Sequence, residues 1–536
     1  MITHQADILG HRRPTTAADE ANPPPPIATP GSRLKAWTGA DSAPGTLTIL
    51  CRFLIVVALY SVPAATVLRP LDEFDTWWHL RTGQWIAEHR AVPQTDLYAA
   101  VLEGQPWIAY SWLFELLLYG LYHGFGLGGI VIYRVVLTLV LVAVLHHFVA
   151  KREPRFAVAA GLLTAALAAL TPMLCERPWL FTVVFFTLTL DAILDLRRGT
   201  AGRAVWLLPL GYVLWANLHI EFVFGLLALG LACVGPVIDA LLGRQSRDDH
   251  ANTAGSRDWW KLVGLSAACL VATLVNPYGV RLYGVVVELT TWSAGLHLVG
   301  ELQAMAFRSC WEWAVLGLAG AAVFTLGRRP RLDAFEVLLM VAAAYVAFRC
   351  RRDIWFLVLV SLAVLLTAPR PAPAPAERFA LTPRRALFVG LGVSAVLIIL
   401  CLRYDCSERG LAERVAAHFP VEAAAVVEKE GYPGPLYNQA DWGSYLLWRL
   451  PQYPVAIDGR LHMYGDERAY RFYLTGEGRP GWETDPDLTA ARLVILRPQL
   501  PLAALLRRDP RFRLAHEDPV AVVFVARPEE SGVRGP

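Results

Sequence analysis

The sequence predicts a mainly α-helical, polytopic membrane protein: a bundle of about eleven transmembrane helices, followed by a small α/β domain outside the membrane. Three observations predict it. Of 536 residues, 55% are hydrophobic and only 18% charged, whereas soluble domains carry about a quarter charged residues. Apolar runs long enough to cross a bilayer, which takes roughly 20 helical residues, recur as far as residue 402. From about Asp405 the composition becomes that of a soluble domain, with short strand-like and helical runs alternating. The net charge of +3 is too small and too scattered to argue for a nucleic-acid partner.

Residues 1–46 hold Pro23 to Pro26 in a polar stretch and lack the early apolar core of a signal peptide. They read as a disordered cytoplasmic tail. The membrane domain, 47–402, has apolar runs at 47–68, 128–149, 155–172, 178–197, 204–220, 222–243, 260–276, 309–327, 332–348, 353–368 and 385–402, with a first outer loop at 69–127. Segment 108–124 is apolar but contains Glu115 and His123, which suits an interfacial or half-inserted helix. Positive charge concentrates in alternate loops: Lys151, Arg152 and Arg155; Arg197, Arg198 and Arg203; Arg244, Arg247, Arg257 and Lys261; Arg328, Arg329 and Arg331; Arg370, Arg384 and Arg385. Such loops face the cytoplasm, so the N-terminus is expected inside, with 69–127 and everything after Arg403 outside. The Pro/Ala alternation at 371–376 reads as a stiff inner linker.

In the soluble domain, 403–536, helices are expected at 408–430, 442–450 and 500–507, and strands at 435–437, 455–457, 493–496 and 521–525. Asp441, Trp442, Tyr445, Asp458, Arg460 and Tyr464 fall near strand ends, where α/β sheets place ligands. A structural turn at Asp458–Arg460 explains that pair equally well, so the domain reads as accessory. The eight cysteines show neither metal-ligand spacing nor a disulfide framework; they read as small core residues.

The string Asp72-Glu73-Phe74-Asp75-Thr76-Trp77-Trp78-His79-Leu80 directly follows the first apolar run. Acidic groups at a membrane lip are costly and seldom idle. Residues 77–89 read as an amphipathic helix along the interface, with Trp78, Trp85 and Ile86 on one side. Asp75 could cap that helix or act chemically, and Glu73 suits a solvated loop position as well as a functional one. Other polar groups sit at outer helix ends: Glu176 and Arg177 before Pro178, then Asn217, His219 and Glu221. Asn217 reads as a helix-to-helix hydrogen bonder; His219 and Glu221 are the better binding candidates. Asn276-Pro277-Tyr278-Gly279 ends a helix, and the following loop, with Glu288, Trp292, His297 and Glu301, is placed to cover a site. Arg349, Arg351 and Arg352 defy the positive-inside trend, which an anionic ligand would explain. A miscounted span is the competing explanation.

A long outer loop that opens with an acid just past the first span resembles the GT-C superfamily of membrane glycosyltransferases, which includes protein O-mannosyltransferases, lipid A aminoarabinose transferases and oligosaccharyltransferases. The 107–126 stretch, followed by Arg134 inside the next span, is similar to the matching part of that family. Closer still is a group of bacterial membrane proteins with elements similar to Trp77-Trp78-His79-Leu80, Arg177-Pro178, Asn217-Leu218-His219 and Asn276-Pro277-Tyr278-Gly279. The resemblance implies a bacterial inner-membrane enzyme that moves a sugar from a polyprenyl-phosphate donor to a glycan, lipid or protein acceptor. By that likeness Asp75, Asp72 and Glu73 would be the catalytic acids. His79, Glu115, Arg177, His219, Glu221, Arg349, Arg351 and Arg352 would bind substrate. Glu73-Phe74-Asp75 stands where the family has an undisturbed D-x-D, which leaves a divalent cation, Mg or Mn, open. A lipid-linked sugar flippase or polysaccharide exporter is the alternative; such transporters show internal repeats, and none is convincing here. A non-catalytic envelope scaffold is the third class.

Overall fold

The computed structural model describes residues 45–68, 71–243, 256–368 and 379–528. The chain divides into two units, Met1–Ile49 and Leu50–Pro536. Of the first, only residues 45–49 are described, and they open the first long helix. The expected tail before residue 45 and the 371–376 linker lie outside the described residues.

The protein is mainly helical, with a small mixed sheet near its C-terminus. Among the described residues seven helices are long and apolar enough to cross a membrane: Thr46–Thr66, Leu127–Arg152, Phe156–Met173, Trp179–Arg197, Phe222–Leu241, Cys310–Gly327 and Pro383–Arg403. The other four expected spans are helical but shorter: Leu208–Leu218, Ser256–Ala272, Ala334–Arg349 and Ile354–Thr367. The reason is local. Their apolar runs include flanking single turns, Arg203–Leu207 and Arg351–Asp353, and the Asn276-Pro277 turn, where the chain has left the helix. Ile354–Thr367 is apolar all round, and nearly every side chain in it is buried. Such a helix belongs inside a bundle rather than against lipid. Pro383–Arg403, by contrast, buries only Val389 and Val393.

Helix Thr76–His89 packs its aromatic side against protein, and Trp77 and Trp78 are buried. It packs against Trp112–Phe125 so closely that a Cβ on Gly83 would fall 2.1 Å from the Glu115 carbonyl oxygen. From the other side Trp77 meets Phe419 and Tyr445 edge to face, with centroids 5.3 and 5.1 Å away. The C-terminal domain therefore roofs the 69–127 loop.

That domain holds a four-stranded sheet of β1 (Leu436–Asn438), β2 (Leu493–Leu496), β3 (Phe512–Glu517) and β4 (Val522–Ala526), in the order β1-β2-β4-β3. β1 and β2 are parallel, pairing Leu436 with Leu493, and the remaining pairs are antiparallel. The expected helix 408–430 is two helices, Glu408–Ala416 and Val421–Glu430. Pro420 separates them, since it cannot donate a helical hydrogen bond and biases its predecessor away from helix. The expected strand 455–457 is not in the sheet. Asn438 captures its polar groups instead, accepting from the Ala456 amide at 2.9 Å and donating to the Ile457 carbonyl at 2.9 Å. Helix Asp466–Gly476 and strand β3 were not legible in the sequence.

Buried polar contacts join the domain to the membrane part. Arg460 donates to Asp96 Oδ1 at 2.6 Å and to Asp458 Oδ2 at 2.6 Å. Its guanidinium lies 4.9 and 4.6 Å from the Tyr98 and Trp107 ring centres. The Glu408 carboxylate accepts from the Leu127 amide at 3.0 and 3.2 Å, satisfying a free N–H at the start of the second long helix.

Candidate active site

A cavity of about 220 Å³ lies where the 69–127 loop, three helix junctions and the C-terminal domain meet. Asp75, Arg177, Glu221, Glu301, Arg352 and Asp353 supply its charge, and Trp78, Trp107, Tyr110, Trp179 and Trp292 its aromatic walls. Apart from Glu301, which lies in the single turn Gly300–Leu302, these charged residues sit at helix starts. Asp75 precedes helix Thr76–His89, Arg177 precedes Trp179–Arg197, Glu221 precedes Phe222–Leu241, and Arg352 and Asp353 precede Ile354–Thr367. Apolar helices must end in polar residues where they leave the membrane, so several ends facing one point concentrate charge there.

Asp75 makes no side-chain capping bond to its helix. Its carboxylate faces Arg177 Nη1, while Arg177 Nη2 reaches Glu73 Oε1 at 2.6 Å and Glu301 Oε2 at 3.6 Å. Burial pushes the Asp75 carboxyl up to about 7; Arg177 opposes the shift, and the negative Glu73 and Glu301 add to it. Arg352 is held more loosely. Glu221, Glu301 and Asp353 each offer an oxygen only at 3.9–4.0 Å, and its buried Nε makes no hydrogen bond. Burial and the facing Asp353 push Glu221 up to about 8, against the pull of Arg352.

A second wall carries little charge. His79 Nδ1 lies 3.2 Å from Glu115 Oε1, and Glu115 Oε2, wholly buried, has no hydrogen-bond partner. Burial drives the Glu115 carboxyl well above the carboxylate range and the His79 imidazole well below its usual value. Both shifts favour the uncharged forms, a carboxylic acid beside an imidazole. His219 is fixed from behind: the Thr182 hydroxyl accepts from Trp215 at 2.9 Å and so has its own hydrogen for His219 Nδ1, also at 2.9 Å.

Of the sequence-predicted site residues, Asp75, His79, Glu115, Arg177, His219, Glu221, Arg349 and Arg352 line this cavity. Glu73 stands just behind Asp75 on Arg177. Asp72 and Arg351 do not line it; both are exposed. Asp75, three residues after Asp72, and Arg352, next to Arg351, take the inward positions. Asn217 is structural, accepting from Trp112 at 2.8 Å and donating to the Val213 and Val275 carbonyls. Glu176 pairs with Arg134 at 3.4 Å, outside the cavity lining. Sequence reasoning missed Asp353, signalled only by its place beside Arg352, and Gly459 and His462 from the soluble domain.

The cavity carboxylates pair with cationic or imidazole partners: Asp75 with Arg177, Glu221 and Asp353 with Arg352, and Glu115 with His79. Among the described residues, one group could close on a metal ion, Glu422, His516 and Asp518, and it belongs to the soluble domain, outside the cavity lining. No step below is assigned to a metal.

No family model matches the chain, and no curated protein matches it. Among solved structures it is similar to ArnT of Cupriavidus metallidurans in the apo state, with 13% identity over 90% of this chain and 99% of that one, at a TM-score of 0.47. The same protein bound to undecaprenyl phosphate is similar over 92% of this chain and 100% of that one, with 12% identity and a TM-score of 0.45. The Archaeoglobus fulgidus oligosaccharyltransferase, tethered to an acceptor peptide, is similar over 83% of this chain and 68% of that one, with 11% identity and a TM-score of 0.47.

Proposed function

We propose that this multi-pass membrane protein is a glycosyltransferase, moving a sugar from a polyprenyl-phosphate donor to a hydroxyl-bearing acceptor at the outer face of the cytoplasmic membrane. One observation carries the reading: the Asp75 carboxylate, unused as a helix cap, shares a cavity with Arg352, whose buried Nε has no partner. A base and an anion holder in one pocket are what phosphate displacement from an anomeric carbon requires. The sequence motifs shared with the GT-C superfamily point the same way.

In this reading the acceptor oxygen attacks the anomeric carbon and forms the new glycosidic bond. The bond from that carbon to the phosphate oxygen breaks, and the acceptor proton passes to Asp75. Polyprenyl phosphate leaves with the bonding electron pair, and Arg352 and Arg349 hold its growing charge. Arg177, already engaged by Asp75 and Glu73, orients the base rather than the phosphate. The wall of His79 and Glu115, with Trp78 and Trp107, suits sugar hydroxyls and ring faces.

The orientation belongs to the same proposal. Lys151, Arg152, Arg197 and Arg329 pair with Asp191, Asp195, Asp333 and Glu336 at helix ends away from the cavity, which matches a cytoplasmic face.

Transfer from purified polyprenyl-phosphate sugars, wild type against Asp75→Asn, tests the reading. A loss of about 100-fold or more is expected on removing a general base. Equal transfer by both removes Asp75 from the chemistry, and flipping of labelled lipid in liposomes without transfer replaces the enzyme with a transporter.

A further inference from the structure

The soluble domain reaches the candidate base through a three-residue loop, Asp458-Gly459-Arg460. Gly459 packs so tightly on Asp75 that an added Cβ would stand 1.9 Å from its Oδ1 and 3.0 Å from its Cγ. Backbone strain is not the reason for glycine here, since its φ is not positive; the reason is the space the carboxylate occupies.

The loop is held from several directions. Asn438 of β1 fixes the preceding Ala456 and Ile457, and Ser444 accepts from the Gly459 amide at 3.4 Å. Asp458, wholly buried, accepts from Arg460 and, at 2.9 Å, from the Tyr464 hydroxyl. Arg460, 2% exposed, donates to Asp96 of the outer loop. The Val455 amide also donates to the Tyr98 carbonyl at 3.3 Å. A buried fork of this kind, with both carboxylates satisfied, is costly to distort. Asp75 thus meets Arg177 on one side and a rigid wall on the other.

We propose that the Asp458–Arg460 loop is a positioning element for Asp75, which makes the soluble domain a structural part of the active site rather than an acceptor-binding accessory. The inference rests on the reading of Asp75 as proton acceptor. A methyl group at residue 459 displaces the carboxylate by about an ångström or more, and such a misplacement can cost about 100-fold in rate.

The test uses the full chain, purified, with Gly459→Ala compared to wild type and Asp75→Asn. The expected result for Gly459→Ala is a kcat about 100-fold lower, a donor KM within about twofold, and a displaced acidic limb in the pH–rate profile. A merely structural role would not move that limb. A wild-type kcat and limb in Gly459→Ala, with Asp75→Asn inactive, overturns the inference and leaves the glycosyltransferase reading standing. Full activity in Asp75→Asn removes Asp75 from the chemistry and takes the inference down with that reading. Should Gly459→Ala fail to fold, the pair Asp75→Cys with Gly459→Cys decides by contact alone. An ideal Cβ at residue 459 stands 3.0 Å from Asp75 Cγ, so mild oxidation should cross-link the two thiols in the folded protein, and no cross-link overturns the placement.

Discussion

A single guanidinium, Arg177, sets the state of the residue on which the chemistry turns. It faces Asp75 and holds Glu73 at 2.6 Å, yet burial keeps the Asp75 carboxyl near 7. A base must be ionised to work, so kcat/KM should rise as pH passes upward through about 7. Glu73 helps keep that value high. In Glu73→Gln the repulsion disappears and Arg177 is left to Asp75, so the acidic limb should move to lower pH. A limb that stays put or moves up would refute the assignment. Arg352 behaves differently, since its three carboxylates stand at 3.9–4.0 Å and leave its donors unspent. A planar fork suits phosphate, and lysine does not reproduce it. Both Arg352→Lys and Arg352→Gln should raise the donor KM by about tenfold or more, since a hydrogen bond to a charged group contributes about 1.5–3 kcal/mol. An unchanged KM in both would exclude Arg352 from the donor site.

At the scale of elements, the segment Ile108–Ser111 forms one cavity wall, and Tyr278 holds it in place. Its buried hydroxyl accepts from the Ala109 amide at 3.1 Å and donates to the Pro93 carbonyl at 2.8 Å. Tyr278→Phe leaves two buried backbone groups unpaired, at about 1–3 kcal/mol each. A thermal midpoint lower by a few degrees, with weakened transfer, is expected in detergent; an unchanged midpoint would show that water replaces the hydroxyl. The Asn276-Pro277-Tyr278-Gly279 turn was legible as a helix stop, but its role as a brace was not, because the partners are distant in sequence. The same division runs through the molecule. All eleven apolar runs are helices, since a bilayer permits little else, whereas their lengths were overread where single turns flank them. Ionisable residues at helix ends could be picked out as candidates by their cost. Which of Asp72 or Asp75, Arg351 or Arg352, faces inward depends on loop geometry that no periodicity encodes.

For the whole molecule, orientation is the first thing to establish. A periplasmic reporter fused after Ala368 should be silent, and one fused after Tyr404 should be active. An active reporter at Ala368 would turn the cavity toward the cytoplasm and remove a lipid-linked donor on the outer face. The pairing of Arg460 with Asp96 across 364 residues joins two parts that the sequence presents as separate domains. Composition changes near residue 405, yet the cavity takes residues from both sides of that boundary.

The Glu408 carboxylate that satisfies the Leu127 amide comes from 281 residues downstream. A ribosome must therefore deliver most of the polypeptide before the second long helix gains that partner. Until then that helix start lacks its protein acceptor, so this joint closes late, by a segment made after the last long helix.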